Sequence, residues 1–177
     1  CFDLICLLRT IVERDIKGVI AIRYVKDSEK VNFEELWDRS KAIDPFKWEV
    51  LRRGNGKVAV LAVGNMINHV EKLIPIDPTI VYVRCVKPLD ETTMNFLVES
   101  HDYFITIEEG FLTGGFGESV VAFMNRRDIR KAVLTLGVPE EFVPHGSREE
   151  LLRFCRLDPQ GIFEAVVSFL KREVYAW

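Results

Sequence analysis

From Lys47 onward, short apolar runs alternate with amphipathic stretches, and this alternation restricts the fold more than any other feature of the chain. Lys57–Val63 is an apolar run ending at Gly64, too short for a buried helix, and reads as a buried strand. Met66–Leu73 reads as a short helix and Thr79–Val83 as a strand. Asp90 is placed to cap a helix running through Ser100, with Glu91 in its first turn. Tyr103–Ile107 reads as a strand, Gly117–Arg126 as a helix and Lys131–Leu136 as a strand. Ser147, with Glu150 three residues on, forms a capping-box signature. Asp158 opens a last helix with Ile162, Ala165, Val166, Phe169 and Leu170 on its apolar face. Strands of this kind, separated by helices, predict an α/β fold: a mostly parallel five-stranded sheet with helices on both sides.

The first 46 residues do not follow that rhythm. Residues 3–14 place Leu4, Leu7, Leu8, Ile11 and Val12 on one helical face. After Gly18, Val19–Tyr24 reads as a buried strand. A single helix and strand cannot bury a sheet face alone, so residues 1–25 read as the tail of a larger domain. The chain begins with Cys1 rather than Met, which points to sequence upstream. Residues 26–46 are charged and aperiodic, a linker composition, with Phe33, Leu36, Trp37 and Phe46 as anchors to a surface.

Of the 177 residues, 48% are hydrophobic, which supports a packed core. The balance of 24 basic against 27 acidic residues, net −3, argues against nucleic acid or an anionic membrane as the main partner. No apolar run has the length of a membrane span, and the first residues lack the shape of a signal peptide. Cys1, Cys6, Cys85 and Cys155 form no metal-binding spacing and read as buried or free thiols of a reducing cytosol.

Few residues suggest chemistry by themselves. Glu108 and Glu109 are adjacent in a strand and therefore point to opposite faces, so they are not a side-by-side acid/base pair. One is expected to be exposed and the other to cap or to lie at an interface. Thr113-Gly114-Gly115-Phe116-Gly117 precedes a helix, and its glycines could admit a phosphate. It matches neither GxGxxG nor a P-loop, and close packing of the helix start on the sheet is the better reading. His69, His101 and His145 are far apart, have no nucleophile motif beside them and read as structural. Arg23 is placed near the carboxyl end of the expected strand Val19–Tyr24, where α/β folds contact ligands. It could be an ion-pair partner or a planar anion clamp.

The run Lys47–Ile162 resembles the C-terminal domain of the 1-deoxy-D-xylulose-5-phosphate synthases, in the transketolase superfamily. Lys47–Gly54 looks like that family's opening strand and Val60–Gly64 like its first sheet strand. Val83–Glu91 is similar to the family's RFVKPLDE stretch, the most specific match. Thr106–Glu109 with Gly114–Gly117 is similar to its TVEE…GGxG pattern, which 2-oxo-acid dehydrogenase β chains share. Gly137–Ser147 resembles GLPDxFIPHG, and Leu157–Ile162 resembles the family's ending. Ala21-Ile22-Arg23-Tyr24 agrees with the family's AIRY, but Val25-Lys26-Asp27-Ser28 stands where the family has Pro-Arg-Gly-Asn.

The resemblance implies three parts: residues 1–25 as the tail of a pyrimidine-binding domain, 26–46 as a linker, and 47–177 as a transketolase C-terminal domain. It implies that Arg23 holds the phosphate of the acceptor substrate. It implies a cytoplasmic homodimeric transferase that condenses pyruvate with glyceraldehyde 3-phosphate, releasing CO2, on thiamine diphosphate with Mg2+. The product is a precursor of isoprenoids, thiamine and pyridoxal. No GDG magnesium motif and no catalytic residue is assignable within this chain, which is expected to bind neither group by itself and to serve association. Two other readings remain: a fragment of another transketolase-like or 2-oxo-acid dehydrogenase β enzyme, or a non-catalytic paralogue used for association or regulation.

Overall fold

The computed structural model describes residues 2–14, 16–25 and 32–174. The chain divides into two compact units, residues 1–47 and 48–177, and each is described by itself.

In the second unit, β2 (Val58–Val63), β3 (Thr79–Val83), β4 (Tyr103–Phe111) and β5 (Ala132–Val138) are parallel, while β1 (Glu49–Arg52) runs antiparallel on the edge. The strand order is β1-β3-β2-β4-β5. The expected five-stranded, mostly parallel sheet is therefore present. Pairing sets Val60 beside Ile80 and Ile105, and Leu61 beside Val81 and Thr106. Because side chains alternate across a strand, this register sorts the apolar residues into two cores.

Val58, Val60, Ala62, Ile80, Ile105 and Ile107 face one layer. That layer consists of two 3-10 segments, Gly64–His69 and Glu71–Ile76, with α5 (Arg148–Phe154) and α6 (Pro159–Val174). On the other face, Ala59, Leu61, Val81, Val83 and Phe104 meet α3 (Glu91–Ser100) and α4 (Phe116–Asn125). Leu61 and Phe104 are fully buried, each contributing roughly 2 kcal/mol or more of transfer free energy. The stretch read as one helix over Met66–Leu73 is instead two 3-10 turns, and Pro75 lies in the second. Proline lacks an amide hydrogen and excludes a continuous α-helix across it.

Helix starts follow the sequence signals. Ser147 and Glu150 form the complete capping box of α5. The Asp158 side chain accepts from the Gly161 amide at 3.3 Å, at the opening of α6. Asp90 accepts from the Thr93 amide at 3.2 Å and its hydroxyl at 2.8 Å, and also from the Trp48 amide at 3.0 Å. The Trp48 indole donates to the Cys85 carbonyl at 2.7 Å and packs edge-on against Phe116. Asp90, only 4% exposed, thus ties the segment entering β1 to the start of α3.

In the first unit, α1 (Phe2–Glu13) forms as expected, but it buries Ile5, Cys6 and Thr10. Leu8 and Val12 of the predicted apolar face are 42% and 77% exposed. The expected strand Val19–Tyr24 does not form, and Val19 is fully exposed. A strand needs a hydrogen-bonded neighbour, and the described residues supply none there. The segment read as an aperiodic linker contains α2 (Phe33–Arg39), capped by Asn32. It is fastened to α1: Thr10 Oγ1 accepts from the Ile43 amide at 2.8 Å, and the Arg9 guanidinium lies 4.5 Å over the Trp37 ring. Residues 26–31 of that segment lie outside the described residues.

One consequence concerns Asp90. Replacing it by Ala removes a helix cap and leaves the buried Trp48 amide without an acceptor, costing about 2–4 kcal/mol. Urea unfolding followed by tryptophan fluorescence should show that loss, with Asp90→Asn recovering part of it. A midpoint unchanged in Asp90→Ala would contradict this role.

Candidate functional site

The chain passes from β2 to β3 on one side of β2, then crosses to β4 on the other. The carboxyl ends of β2 and β4 therefore flank a topological switch point, where open α/β sheets bind ligands. Four side chains gather at this end: Glu108 and Glu109 on β4, His69 in the segment after β2, and Arg148 at the start of α5.

The two glutamates face opposite layers, as strand alternation requires. Glu108 is 7% exposed. Its carboxylate accepts from the amides of Phe116 and Gly117, each at 2.9 Å. These are the first residues of α4, whose first-turn amides have no partner within the helix. A carboxylate here meets two donors and the positive end of the helix dipole. Glu108 is the capping glutamate, and it occupies the place where a phosphate would sit.

The glycine loop is shaped to that carboxylate. A Cβ on Gly115 would lie 2.6 Å from Glu108 Oε1 and 2.3 Å from the Phe111 carbonyl oxygen. A Cβ on Gly117 would lie 2.7 Å from both Thr106 Oγ1 and Thr135 Cγ2. The glycines let α4 rest directly on β4 and β5, which is the packing reading of the motif. Glu109, facing the other layer, forms an ion pair with Arg148 at the start of α5.

His69 is half-buried, and its Nδ1 is buried without a hydrogen-bond partner. Burial, and then the Arg148 charge, hold its pKa below the ordinary imidazole value; Glu109, Asp158 and Glu71 pull the other way. The neutral imidazole therefore prevails at neutral pH. The site holds a neutral ring, one matched ion pair and a carboxylate spent on backbone amides. No three His, Cys, Asp or Glu side chains among the described residues are placed to hold a metal ion. This end of the sheet is built to fasten helices.

The other singled-out residues lie elsewhere. Arg23 is exposed in the irregular stretch 16–25, and among the described residues its guanidinium has no ion-pair partner. His101 is 5% exposed, with Nε2 2.7 Å from Thr79 Oγ1 and Nδ1 3.1 Å from the Leu97 carbonyl. Burial is the main cause lowering its pKa, opposed by the Leu97 carbonyl. His145 is exposed in the loop before α5. Cys6, Cys85 and Cys155 are free thiols, and burial raises the pKa of the latter two. No helix among the described residues is long and apolar enough to cross a membrane. Sequence reasoning missed Arg148, because its glutamate lies 39 residues away and only the fold joins them.

The profile for the transketolase C-terminal domain matches residues 47–162. A 1-deoxy-D-xylulose-5-phosphate synthase of Thermotoga maritima is 38% identical over 160 residues, covering 90% of this chain and 26% of the relative. One of Vibrio parahaemolyticus is 35% identical over 156 residues, covering 88% of this chain and 25% of the relative. The chain thus spans about a quarter of the length of these curated relatives. A solved structure described as "Split gene transketolase, inactive beta4 tetramer" superposes with a TM-score of 0.65 at 23% identity, over 73% of this chain and 44% of that one. At that identity the likeness is one of fold.

The depressed histidines set a pH response. A group with a lowered folded pKa contributes stability that is present above its unfolded pKa and lost as pH falls through the folded value. The unfolded reference is about 6.5, so stability should decline as pH drops below about 6.5. The carboxylates with lowered pKa, Asp77, Asp102 and Glu150, act in a more acidic range. Thermal melts from pH 7.5 to 5.5 should show a falling Tm, with a shallower slope in His69→Gln and in His101→Asn. A flat wild-type profile would contradict the assignment.

Proposed function

The chain belongs to the transketolase C-terminal domain family, and from that premise we propose that it is the C-terminal part of a 1-deoxy-D-xylulose-5-phosphate synthase. The observation that carries this reading is the length of the likeness. The Thermotoga and Vibrio synthases match nearly all of this chain, including residues before the C-terminal domain begins. The full-length protein would condense pyruvate with glyceraldehyde 3-phosphate, releasing CO2, as a cytoplasmic homodimer. Thiamine diphosphate with Mg2+ would supply the carbanion chemistry there.

The glycine loop before α4 does not fit the diphosphate of that cofactor. The helix start that could cradle a diphosphate is filled by Glu108. We therefore assign the cofactor site to other parts of the full protein, and to this domain a role in support and association. Residues 1–25 would be the tail of the pyrimidine-binding domain and 26–46 the connection between domains. The exposed Leu8 and Val12 of α1 and the unpaired residues 19–25 support that reading. Each is an apolar or backbone surface that a larger domain would cover.

Arg23 is the residue of this chain proposed to touch substrate. A guanidinium without a carboxylate partner can present two parallel N–H donors to a phosphate, which a Lys cannot imitate. Its energy would orient the aldehyde for attack. In the full-length enzyme, Arg23→Ala should lower kcat/KM for glyceraldehyde 3-phosphate by about tens-fold. The effect should fall mainly on KM for that substrate, leaving the KM for pyruvate and the Tm nearly unchanged. Arg23→Lys should recover only part of the loss. An unchanged KM for the phosphate substrate, or equal losses for both substrates with a lowered Tm, would overturn the role.

A further inference from the structure

At the end of the sheet remote from Glu108, the loop between β1 and β2 meets the start of β3 and the last turn of α3. They enclose a pocket of about 230 Å³. Arg53, Asn55, Lys57, Thr79, Phe96 and Ser100 line it, with His101 beneath.

The floor is fixed by internal hydrogen bonds. Thr79 Oγ1 accepts from the Gly54 amide at 3.2 Å and lies 2.7 Å from His101 Nε2. The α3 carbonyls nearest the pocket are occupied: Ser100 Oγ donates to the Phe96 carbonyl at 3.2 Å, and the His101 amide to that of Leu97 at 2.9 Å.

The charges around the pocket do not cancel. Asp77 is taken by Arg52 and by the Asn55 amide, the latter at 2.8 Å. Asp102 is taken by Lys131 at 2.9 Å. Arg53 and Lys57 remain, and among the described residues neither has a carboxylate partner within ion-pair distance. By contrast, Arg127, Arg148 and Arg156 each hold a glutamate. Arg53 is positioned without one, since its guanidinium lies 4.7 Å over the Phe96 ring. Stacking on a ring face uses the flat side of a guanidinium and leaves its in-plane N–H groups free to donate.

We propose that this pocket binds the phosphate group of a small phosphate monoester, held between Arg53 and Lys57. A dianion matches two unpaired cations. The volume admits a phosphate with a few attached carbons. A long polyanion is disfavoured by the chain's net charge of −3. Both cations are exposed, so binding is weak, with a Kd on the order of 1 mM at low salt, and weakens as ionic strength rises. The site is independent of Arg23 and of the reaction proposed above.

Amide NMR titration of the 15N-labelled 177-residue chain with inorganic phosphate and with glycerol 3-phosphate tests this, using sodium chloride at matched ionic strength as control. Saturable shifts at Gly54, Asn55, Gly56 and Ser100 are expected with both phosphates and not with chloride. Arg53→Gln with Lys57→Gln should weaken binding at least tenfold, and the single Lys57→Gln variant should weaken it by a smaller factor. Shifts that never saturate, that chloride reproduces, or that persist with unchanged Kd in either variant would overturn the proposal. Binding of inorganic phosphate with exclusion of glycerol 3-phosphate would overturn the monoester assignment.

Discussion

The Glu108 carboxylate resting on the first amides of α4 is the contact around which the second unit is arranged. It is a buried charge whose burial is compensated by two charge-assisted hydrogen bonds to backbone that has no other partner. Each such bond is worth about 1.5–3 kcal/mol. The bond geometry brings α4 so close to β4 and β5 that Gly115 and Gly117 have no room for a side chain. The loop before α4 and the seating of the helix follow from that approach.

Glu109 completes the arrangement from the next position. Strand alternation sends it to the opposite layer, where it holds Arg148 and so the start of α5. Two neighbouring carboxylates on one central strand thus fasten one helix on each face of the sheet. The pair is divided between the layers, which is why it does not act as a joint acid/base site. A proposed supporting domain of a larger enzyme would have use for such a scaffold, in which the charges of Glu108 and Glu109 are matched internally and hold a helix to each face of the sheet.

Much of this was legible in the residues. The apolar runs of β2 and β3, the Asp90 cap and the Ser147/Glu150 capping box are local signals, and the fold honours each. The opposite orientation of Glu108 and Glu109 follows from a period of two. What failed depended on partners that a local reading does not contain. Val19–Tyr24 has the composition of a buried strand, but composition does not supply a neighbouring strand. The helix α2 is short and mostly polar, and its stability comes from the Asn32 cap, the Arg39–Glu35 pair and contacts to α1. Arg148 and the unsatisfied Nδ1 of His69 became visible only once the fold brought distant segments to one sheet end.

Hydrogen exchange at the Phe116 and Gly117 amides tests the central contact most directly. First-turn amides of a helix ordinarily lack an acceptor and exchange readily. Held by the buried Glu108 carboxylate, these two should exchange only with opening free energies close to that of global unfolding, and one of them should lose that protection in Glu108→Gln, whose side-chain NH2 cannot accept, while α4 core amides such as Val120 keep theirs. Rapid exchange of both amides in the wild-type chain would contradict the account.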